Sequence, residues 1–531
     1  MLRVNNLHLP LGFTGEDLRR AAAQKLRVRP QELQGLCLVK KSVDARKKAD
    51  VHVVCSVEAQ VAGENRLLAR LRGGDVQPAR PYRYRLPQGP APGRRPVVVG
   101  FGPAGMFAGL ILAQCGQRPI ILERGLPVEA RQRSVEAFWA GGALDPESNV
   151  QFGEGGAGAF SDGKLTTGTG DGRIRKVLEE LAAAGAPPEI LTDAKPHIGT
   201  DRLPGVVRNI RESILAMGGE VRFSARLAGL QVRDGALEEA EVATPAGVEH
   251  IPCNRLILAV GHSARDVFAL LEGLGAAMEP KPFSVGVRVE HPALLIDQAQ
   301  YGSFAGHPAL GAADYKLNCR TPAGRGVYTF CMCPGGTVTG AASELGGIVT
   351  NGMSPFARDG QNSNAALLVG VGPEDFGGSG PLAGVAFQRR IERAAFALGG
   401  GDYRAPAQRI ADLLEGRPSR GFGGVTPTYR PGVTAGDLAP CLPAFVVEAL
   451  RQALPQLGRR LKGFDLPDGV LTAPETRSSS PVRVLRNQDS LQALGIRGLY
   501  PCGEGAGYAG GIVSAAVDGI RCAERCVEAA P

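Results

Sequence analysis

Tryptophan occurs once, at Trp139, and Phe, Trp and Tyr together make up only 5% of the 531 residues. Single-stranded nucleic-acid grooves interleave aromatic stacking platforms with basic residues, so this scarcity argues against such a partner despite a net charge of +8. The basic residues are dispersed, with only Arg46–Lys48 and a few Arg-Arg pairs clustered. No apolar run is both long and uninterrupted enough to span a bilayer; the longest, Val97 to Ala113, carries Gly and Pro throughout. The start, MLRVNNLHLPLG, lacks a basic segment followed by a continuous apolar one, so no export signal is expected. The 11 cysteines are odd in number, scattered and free of C-x-x-C pairs. That excludes a zinc ribbon or a disulfide framework and predicts reduced thiols in a cytoplasm.

What the chain has in excess is glycine, 74 residues of it. One cluster, GAFSDGK from Gly158 to Lys164, has the spacing of a phosphate loop. Such a loop needs Ser or Thr after the lysine to ligate magnesium, a strand before it and a helix after it. Here Leu165 follows Lys164, and both flanks are polar and Gly-rich. An ATPase is therefore excluded, and the glycines need another explanation.

A second cluster supplies it. In PVVVGFGPAGMFAGLILAQCGQRPIILERG, Val97–Val99 reads as a short buried strand, Gly100, Gly102 and Gly105 complete G-x-G-x-x-G, and a helix runs from Met106 to Gln114. A second strand, Pro119 to Leu122, ends on Glu123. Each part suits a dinucleotide: a tight turn, a close backbone approach to pyrophosphate, close helix–strand packing, and an acid for a ribose diol. At the far end, GLYPCGEGAGYAGGIVSAAVDGIRCAE joins a strand (Leu499 to Pro501) to Gly503 and Glu504 and then to a helix with an apolar face. Many flavoproteins close their nucleotide domain this way, the acid on the ribityl chain and the helix N-terminus toward the flavin. NAD needs no such second clamp. RLILAVG, Arg255 to Gly261, reads as a further buried strand of the same domain. Three separated segments thus converge on one FAD.

Taken together, VVVGFGPAGMFAGLILA with ERG, NVQFGEGGAGAFSDGKL, KPFSVGVRVEHP, GVYTFCMCPGGTV, NGMSPFARDGQNSNAALLV, ETRSSSPVRV and YPCGEGAGYAGGIVSAAVDGI resemble the bacterial FAD-dependent dehydrogenases, or NAD(P)/FAD-dependent oxidoreductases. These are distantly similar to the glutathione-reductase-type flavoproteins of the geranylgeranyl reductase and hydroxylase branch. The resemblance covers nearly the whole chain. It implies an α/β fold: a Rossmann-like FAD-binding domain of glutathione-reductase type, an inserted α+β substrate domain and an N-terminal split βαβ, ferredoxin-like domain. The segments are residues 1–72 for the N-terminal domain, 73–94 for a Pro- and Gly-rich linker, 95–278 and 489–531 for the FAD domain, and 279–488 for the substrate domain. The N-terminal unit also follows from the residues themselves, a βαββ pattern whose helix starts behind a Thr14 cap with Asp17 three positions on.

The cofactor site so implied consists of Gly100, Gly102, Pro103, Ala104, Gly105, Glu123 and Arg124, with Gly261, Gly503, Glu504, Gly511 and Ile512 from the later segments. Glu504 stands where related folds often use Asp. The Gly-rich loop that resembled a phosphate loop is expected to lie along the cofactor, placing Gln151, Gly155, Gly156, Ser161 and Lys164 near FAD, with Lys164 steadying negative charge on the reduced flavin.

No catalytic residue is singled out. FSVGVRVEHP alternates as a half-buried strand, offering Arg288, Glu290 or His291 to a pocket; His262 follows Gly261. Cys331 and Cys333 share a strand face, but a C-x-C disulfide is strained, which favours inert thiols. RSSSPVR, Arg477 to Arg483, is either an anion site or a capped turn near FAD. GVGPED, Gly370 to Asp375, lacks the third glycine of a second nucleotide fold. NAD(P)H is therefore expected as a transient donor or a redox partner protein as its substitute. A single tryptophan cannot build the paired-tryptophan motif of flavin halogenases. The expected activity is hydride exchange between flavin N5 and a small organic substrate. The alternatives are a flavoprotein of tRNA or RNA modification and one with a non-catalytic interaction role.

Overall fold

The computed structural model describes residues 1–71, 73–90 and 93–529. The apolar triplets VVV, LIL and IIL become strands buried on both faces, as parallel sheets require. They form a five-stranded parallel sheet in the order Leu499–Pro501, Leu256–Leu258, Val97–Val99, Ile120–Leu122, Glu220–Arg222. The helix Pro103–Gln114 is apolar all round because it is enclosed, its side chains sharing one core with the helices Leu203–Ala216 and Ile512–Glu528. An antiparallel meander, Arg226–Arg233, Ala236–Thr244 and Gly247–Pro252, is attached to this unit. Its first turn is Asp234-Gly235 with φ of 50° and 70°, the geometry that a two-residue hairpin demands.

Between Leu256–Leu258 and Leu499–Pro501 the chain builds a second unit on a seven-stranded sheet. Its central strand is Phe283–Pro292, flanked by Asn362–Val371 and Val470–Glu475. Val285, Val287 and Val289 enter a core with the helix Ala444–Arg460. The alternation is real, but the opposite face is also buried, so the strand is not half-exposed as its pattern indicated. A short ladder between Met278–Pro280 and Val482–Val484 marks where the chain passes between the two units.

The N-terminal unit is a four-stranded antiparallel sheet, ordered Leu33–Asp44, His52–Val61, Leu2–Leu9, Val76–Pro78, with helices Gly15–Leu26 and Glu64–Arg70. Thr14 and Asp17 form the expected capping box. The last strand lies within the segment read as linker. Three residues ending in proline carry too little periodicity to announce a strand, and pairing with Leu2–Val4 creates it. Among the described residues, no helix is long and apolar enough to cross a membrane.

Candidate functional site

A cavity of about 1090 Å³ runs between the parallel sheet and the second unit, with the N-terminal unit at one end. Ordinary small-molecule pockets occupy roughly 300–1,000 Å³, so there is room for more than a single small ligand. The first strand–turn–helix supplies one wall through Gly100, Gly102, Pro103 and Ala104. Gly100 turns at φ 95°, and a Cβ there would lie 2.4 Å from the Ala259 carbonyl oxygen. Gly105 stays behind the wall: a Cβ would sit 1.8 Å from the Gly100 oxygen, so glycine is what lets the helix seat on the strand. The helix begins at Pro103 without a side-chain cap, leaving its first N–H groups without a capping side chain.

Glu123 and Arg124 line the cavity at the end of the second strand. The Glu123 carboxylate accepts N–H bonds from Phe101 (2.8 Å), Gly153 (2.9 Å) and Gly125 (3.0 Å). A carboxylate has about four acceptor positions, so one remains for a hydroxyl. Arg124 pairs with Asp266 at 2.7 Å and Glu147 at 3.1 Å and lies over the Phe152 ring at 4.2 Å.

The Gly-rich loop forms the facing wall, and Gln151, Gly156, Ser161 and Lys164 are in it. Gly156 approaches Gly102 so closely that a Cβ on it would lie 3.0 Å from the Gly102 Cα. Gly155 is a correction: its N–H bonds to Phe101 at 2.8 Å, and its missing side chain faces Val207, away from the cavity. Lys164 does reach the cavity, but its ammonium is held by the Asp162 carboxylate and the Met332 carbonyl. Burial opposes ionisation of Asp162, yet Lys164 and Arg358 together hold its carboxyl below the usual range. Lys164 also bridges to His197 in strand fashion, and the next helix starts only at Arg173, which disposes of a phosphate loop.

Sequence reasoning missed the residue that shapes this loop. Arg131, fully buried on the helix Val128–Trp139, donates to the carbonyls of Asn149, Val150, Gly153 and Glu154 at 2.6 to 3.2 Å. Nothing in VEARQRSVEAFW distinguishes it from a surface arginine except its position on the apolar stripe with Val128 and Val135.

The far end is closed by Gly261, Glu504, Gly511 and Ile512. The helix Ile512–Glu528 also starts without a side-chain cap at this wall. Gly503 is a second correction: its N–H bonds to the Asp518 carboxylate at 2.8 Å, and a Cβ would lie 2.7 Å from that of Ala104, so it serves the approach of the two helices. Glu504 keeps 26% of its side-chain surface accessible, but into a narrow cavity, and desolvation pushes its carboxyl up to about 7 against the pull of Lys281. Nε2 of His262 is 3.9 Å away. Burial, with Arg477 and Arg265 nearby, holds that imidazole neutral down to about 3. Nδ1 of His262 meets the Ser263 hydroxyl at 3.0 Å, and Ser263 donates to Gln151 at 3.1 Å.

The candidates from the second unit separate. Arg288 reaches the cavity, fully buried, clamped by Glu475 through two 3.0 Å bonds and by Asn351 and Asn364 at 3.1 Å. Glu290 does not; it accepts bonds from Thr428 and Asn362 under another loop. Nor does His291, whose Nε2 meets the Phe464 carbonyl at 2.7 Å inside the core. Arg477 lines the cavity, but Glu392 already matches its charge at 3.0 Å, and Glu392 also holds Arg265 at 2.8 Å. Arg483 is outside, 3.5 Å from Glu279. GVGPED ends a strand, with Asp375 paired to Arg325 at 2.8 Å.

The residues present fit FAD: a glycine cradle that a Cβ would fill, two uncapped helix starts for phosphate and flavin, and an acid with one free acceptor position. Comparison with known proteins agrees. Residues 282–478 match a family described as "FAD-dependent protein, C-terminal domain-like", and residues 1–60 match a domain of unknown function. Over 530 residues the chain is 48% identical to an uncharacterized protein of Clostridium beijerinckii, covering 99% of this chain and 98% of that one. Among solved structures it resembles the flavin-dependent brominase Bmp2 (12% identity, 82% of this chain, 78% of that one, TM-score 0.38). It also resembles a point mutant of the FrdA chain of E. coli quinol fumarate reductase (11% identity, 82% and 70%, TM-score 0.36). Likeness at that level is too loose to assign chemistry. The full-length match and the family signature within it are firmer: the chain belongs with that Clostridium protein to a family of FAD-dependent proteins, with FAD as its cofactor.

Proposed function

We propose that this chain exchanges hydride between the flavin N5 and a small organic substrate, using a glutathione-reductase-type FAD domain. The observation that carries the proposal is the continuity of the cavity. One wall holds the dinucleotide elements and the other a polar surface around Arg288, Asn351 and Ser478, so cofactor and substrate share one enclosure. FAD, when bound, supplies the two-electron chemistry; the protein supplies position and electrostatics.

Gly102, Gly156 and the first N–H groups after Pro103 would hold the pyrophosphate, and Glu123 would take the ribose diol. The partial positive charge at the helix start of Ile512 would favour a reduced, anionic flavin. Glu504, its carboxyl pushed up to about 7, can give or take a proton at neutral pH, and neutral His262 beside it serves as a hydrogen-bonding partner. Ser263 and Gln151 extend that chain of hydrogen bonds along the wall. Arg288, its five N–H donors taken by Glu475, Asn351, Asn364 and the Cys331 carbonyl, keeps its charge and fixes the polar wall that the substrate meets, while Lys164 and Arg358 neutralise Asp162. Lys41 and Arg46 of the N-terminal unit, which has a ferredoxin-like order of strands, line the mouth, and the unit frames substrate entry. Both cations are paired, Lys41 with Asp193 and Arg46 with Asp44. NAD(P)H is the proposed transient donor, a redox protein its substitute, and the cytoplasm the compartment.

Anaerobic stopped-flow absorbance of the yellow holoprotein mixed with NADPH or NADH tests this. Rapid bleaching of the oxidised flavin band is the expected result. A flavin that resists every nicotinamide and every organic reductant tried would remove the hydride reading.

A further inference from the structure

Cys331 and Cys333 have no part in the chemistry above, yet Cys331 lines the cavity wall and Cys333 lies fully buried behind it. On a regular strand two residues apart are roughly 6.6 Å from Cα to Cα, at the far limit for an S–S bond. This strand is not regular. Its register against Asn362–Val371 slips between Phe330 and Cys333, and Cys331 sits at φ 41°, a left-handed conformation that a non-glycine residue holds only under constraint. The bulge turns the Cys333 thiol back onto residue 331, where it lies 3.3 Å from the Cys331 carbonyl oxygen. Two cations hold the bulge from the cofactor side, Arg288 donating to the Cys331 carbonyl at 2.9 Å and Lys164 to that of Met332.

We propose that Cys331 and Cys333 form a reversible dithiol–disulfide pair that exchanges two electrons with the flavin, which makes small disulfide-containing molecules a substrate class. The proposal rests on the FAD reading of the cavity. In the reducing direction, two electrons from reduced flavin and two protons convert the Cys331–Cys333 bond into two thiols, and the flavin is reoxidised. The Cys331 thiolate attacks one substrate sulfur and expels the other half as a thiol; Cys333 then attacks the Cys331 sulfur, expels the second thiol and restores the bond. Cys331 is suited to attack. Hydrogen bonding from Cys333 lowers its pKa, burial opposes this, and Arg288 and Lys164 pull it further down against Glu475, to about 6. The mechanism asks nothing of the other nine cysteines, most of which are buried.

The test uses holoprotein whose FAD has been identified after release. It is oxidised with diamide, titrated anaerobically with dithionite in counted increments, quenched in acid, alkylated in denaturant and peptide-mapped. The expected result is uptake of four electrons per FAD, with both labels appearing on the peptide holding Cys331 and Cys333 only after reduction. Cys331→Ser and Cys333→Ser should each take up two. Uptake of two electrons by the unaltered protein, with both sulfurs labelled from the start, overturns the pair, and that result needs no variant. A purified protein without flavin would instead overturn the cofactor reading, and the diamide mapping would still report whether the sulfurs join.

Discussion

Replacing Gly102 with alanine should separate cofactor binding from folding. Gly102 has φ −78° and ψ −175°, open to any residue, and a Cβ there would meet nothing nearer than the Gly156 Cα at 3.6 Å. It precedes the helix at Pro103, where exchanging glycine for alanine costs under about 1 kcal/mol. The flavin-free variant should therefore melt close to the unaltered protein. The added methyl, however, stands at the glycine turn beside Gly156, on the cavity wall against which the pyrophosphate is proposed to approach the helix N–H groups. We expect the FAD dissociation constant to rise at least tenfold, or about 1.4 kcal/mol. Gly105→Ala is the opposite case. Its Cβ would lie 1.8 Å from the Gly100 oxygen and 2.9 Å from the Gly100 carbonyl carbon, both backbone atoms. The helix must lift off the strand, at about 1–3 kcal/mol or more, with or without flavin. Fluorescence titration of the flavin-stripped proteins with FAD and thermal denaturation of the same samples distinguish the two. Unaltered FAD affinity in Gly102→Ala, or melting as low as that of Gly105→Ala, would refute the reasoning.

Further outcomes follow from the buried charges. The Glu504 carboxyl rises from 4.5 to about 7 on folding, so the folded state holds a proton that the unfolded chain releases, and stability falls as pH rises between those values. The full gap is worth at most about 3 kcal/mol; Glu504→Gln should lessen that slope in flavin-free protein, leaving the part contributed by Glu154, also pushed up to about 7, and be the more stable form at pH 8, and an unchanged slope in urea melts would refute the shift. Glu392→Gln leaves Arg265 and Arg477, both buried, without their shared countercharge and should cost about 3–5 kcal/mol in urea unfolding; a loss under about 1 kcal/mol would show the pair is held by Glu344 and the hydroxyls instead. Arg131→Met should cost upward of about 3 kcal/mol, since it orphans buried carbonyls of the Gly-rich loop. It should also weaken FAD binding, and retention of full affinity would show the loop holds its shape unaided.

The nucleotide elements were legible because their causes are local. Val97–Val99 and Leu256–Leu258 are short apolar runs that only a doubly covered strand explains, and Gly100 and Gly105 let the first turn and its helix close tightly on the sheet. The same holds for Thr14 with Asp17, and for Leu165, which together with the polar, Gly-rich flanks ended the phosphate-loop interpretation. The substrate wall was far less legible. Arg288, Glu290 and His291 were equivalent candidates on the strand pattern, and only their distant partners, Glu475, Thr428 and Phe464, sort them.

By itself the sequence determined the nucleotide-binding elements and the flavin cofactor, because steric demands on glycine and hydrophobic period act over a few residues. The tertiary structure alone decided that Gly156 faces the cavity while Gly155 faces Val207, and that Gly503 serves helix packing. It also decided that Arg131 clamps a loop, that the charge of Arg477 is already spent on Glu392, and that a bulge interrupts the strand between Phe330 and Cys333. Those outcomes depend on the direction of a backbone and on partners tens to hundreds of residues away, which no local pattern encodes.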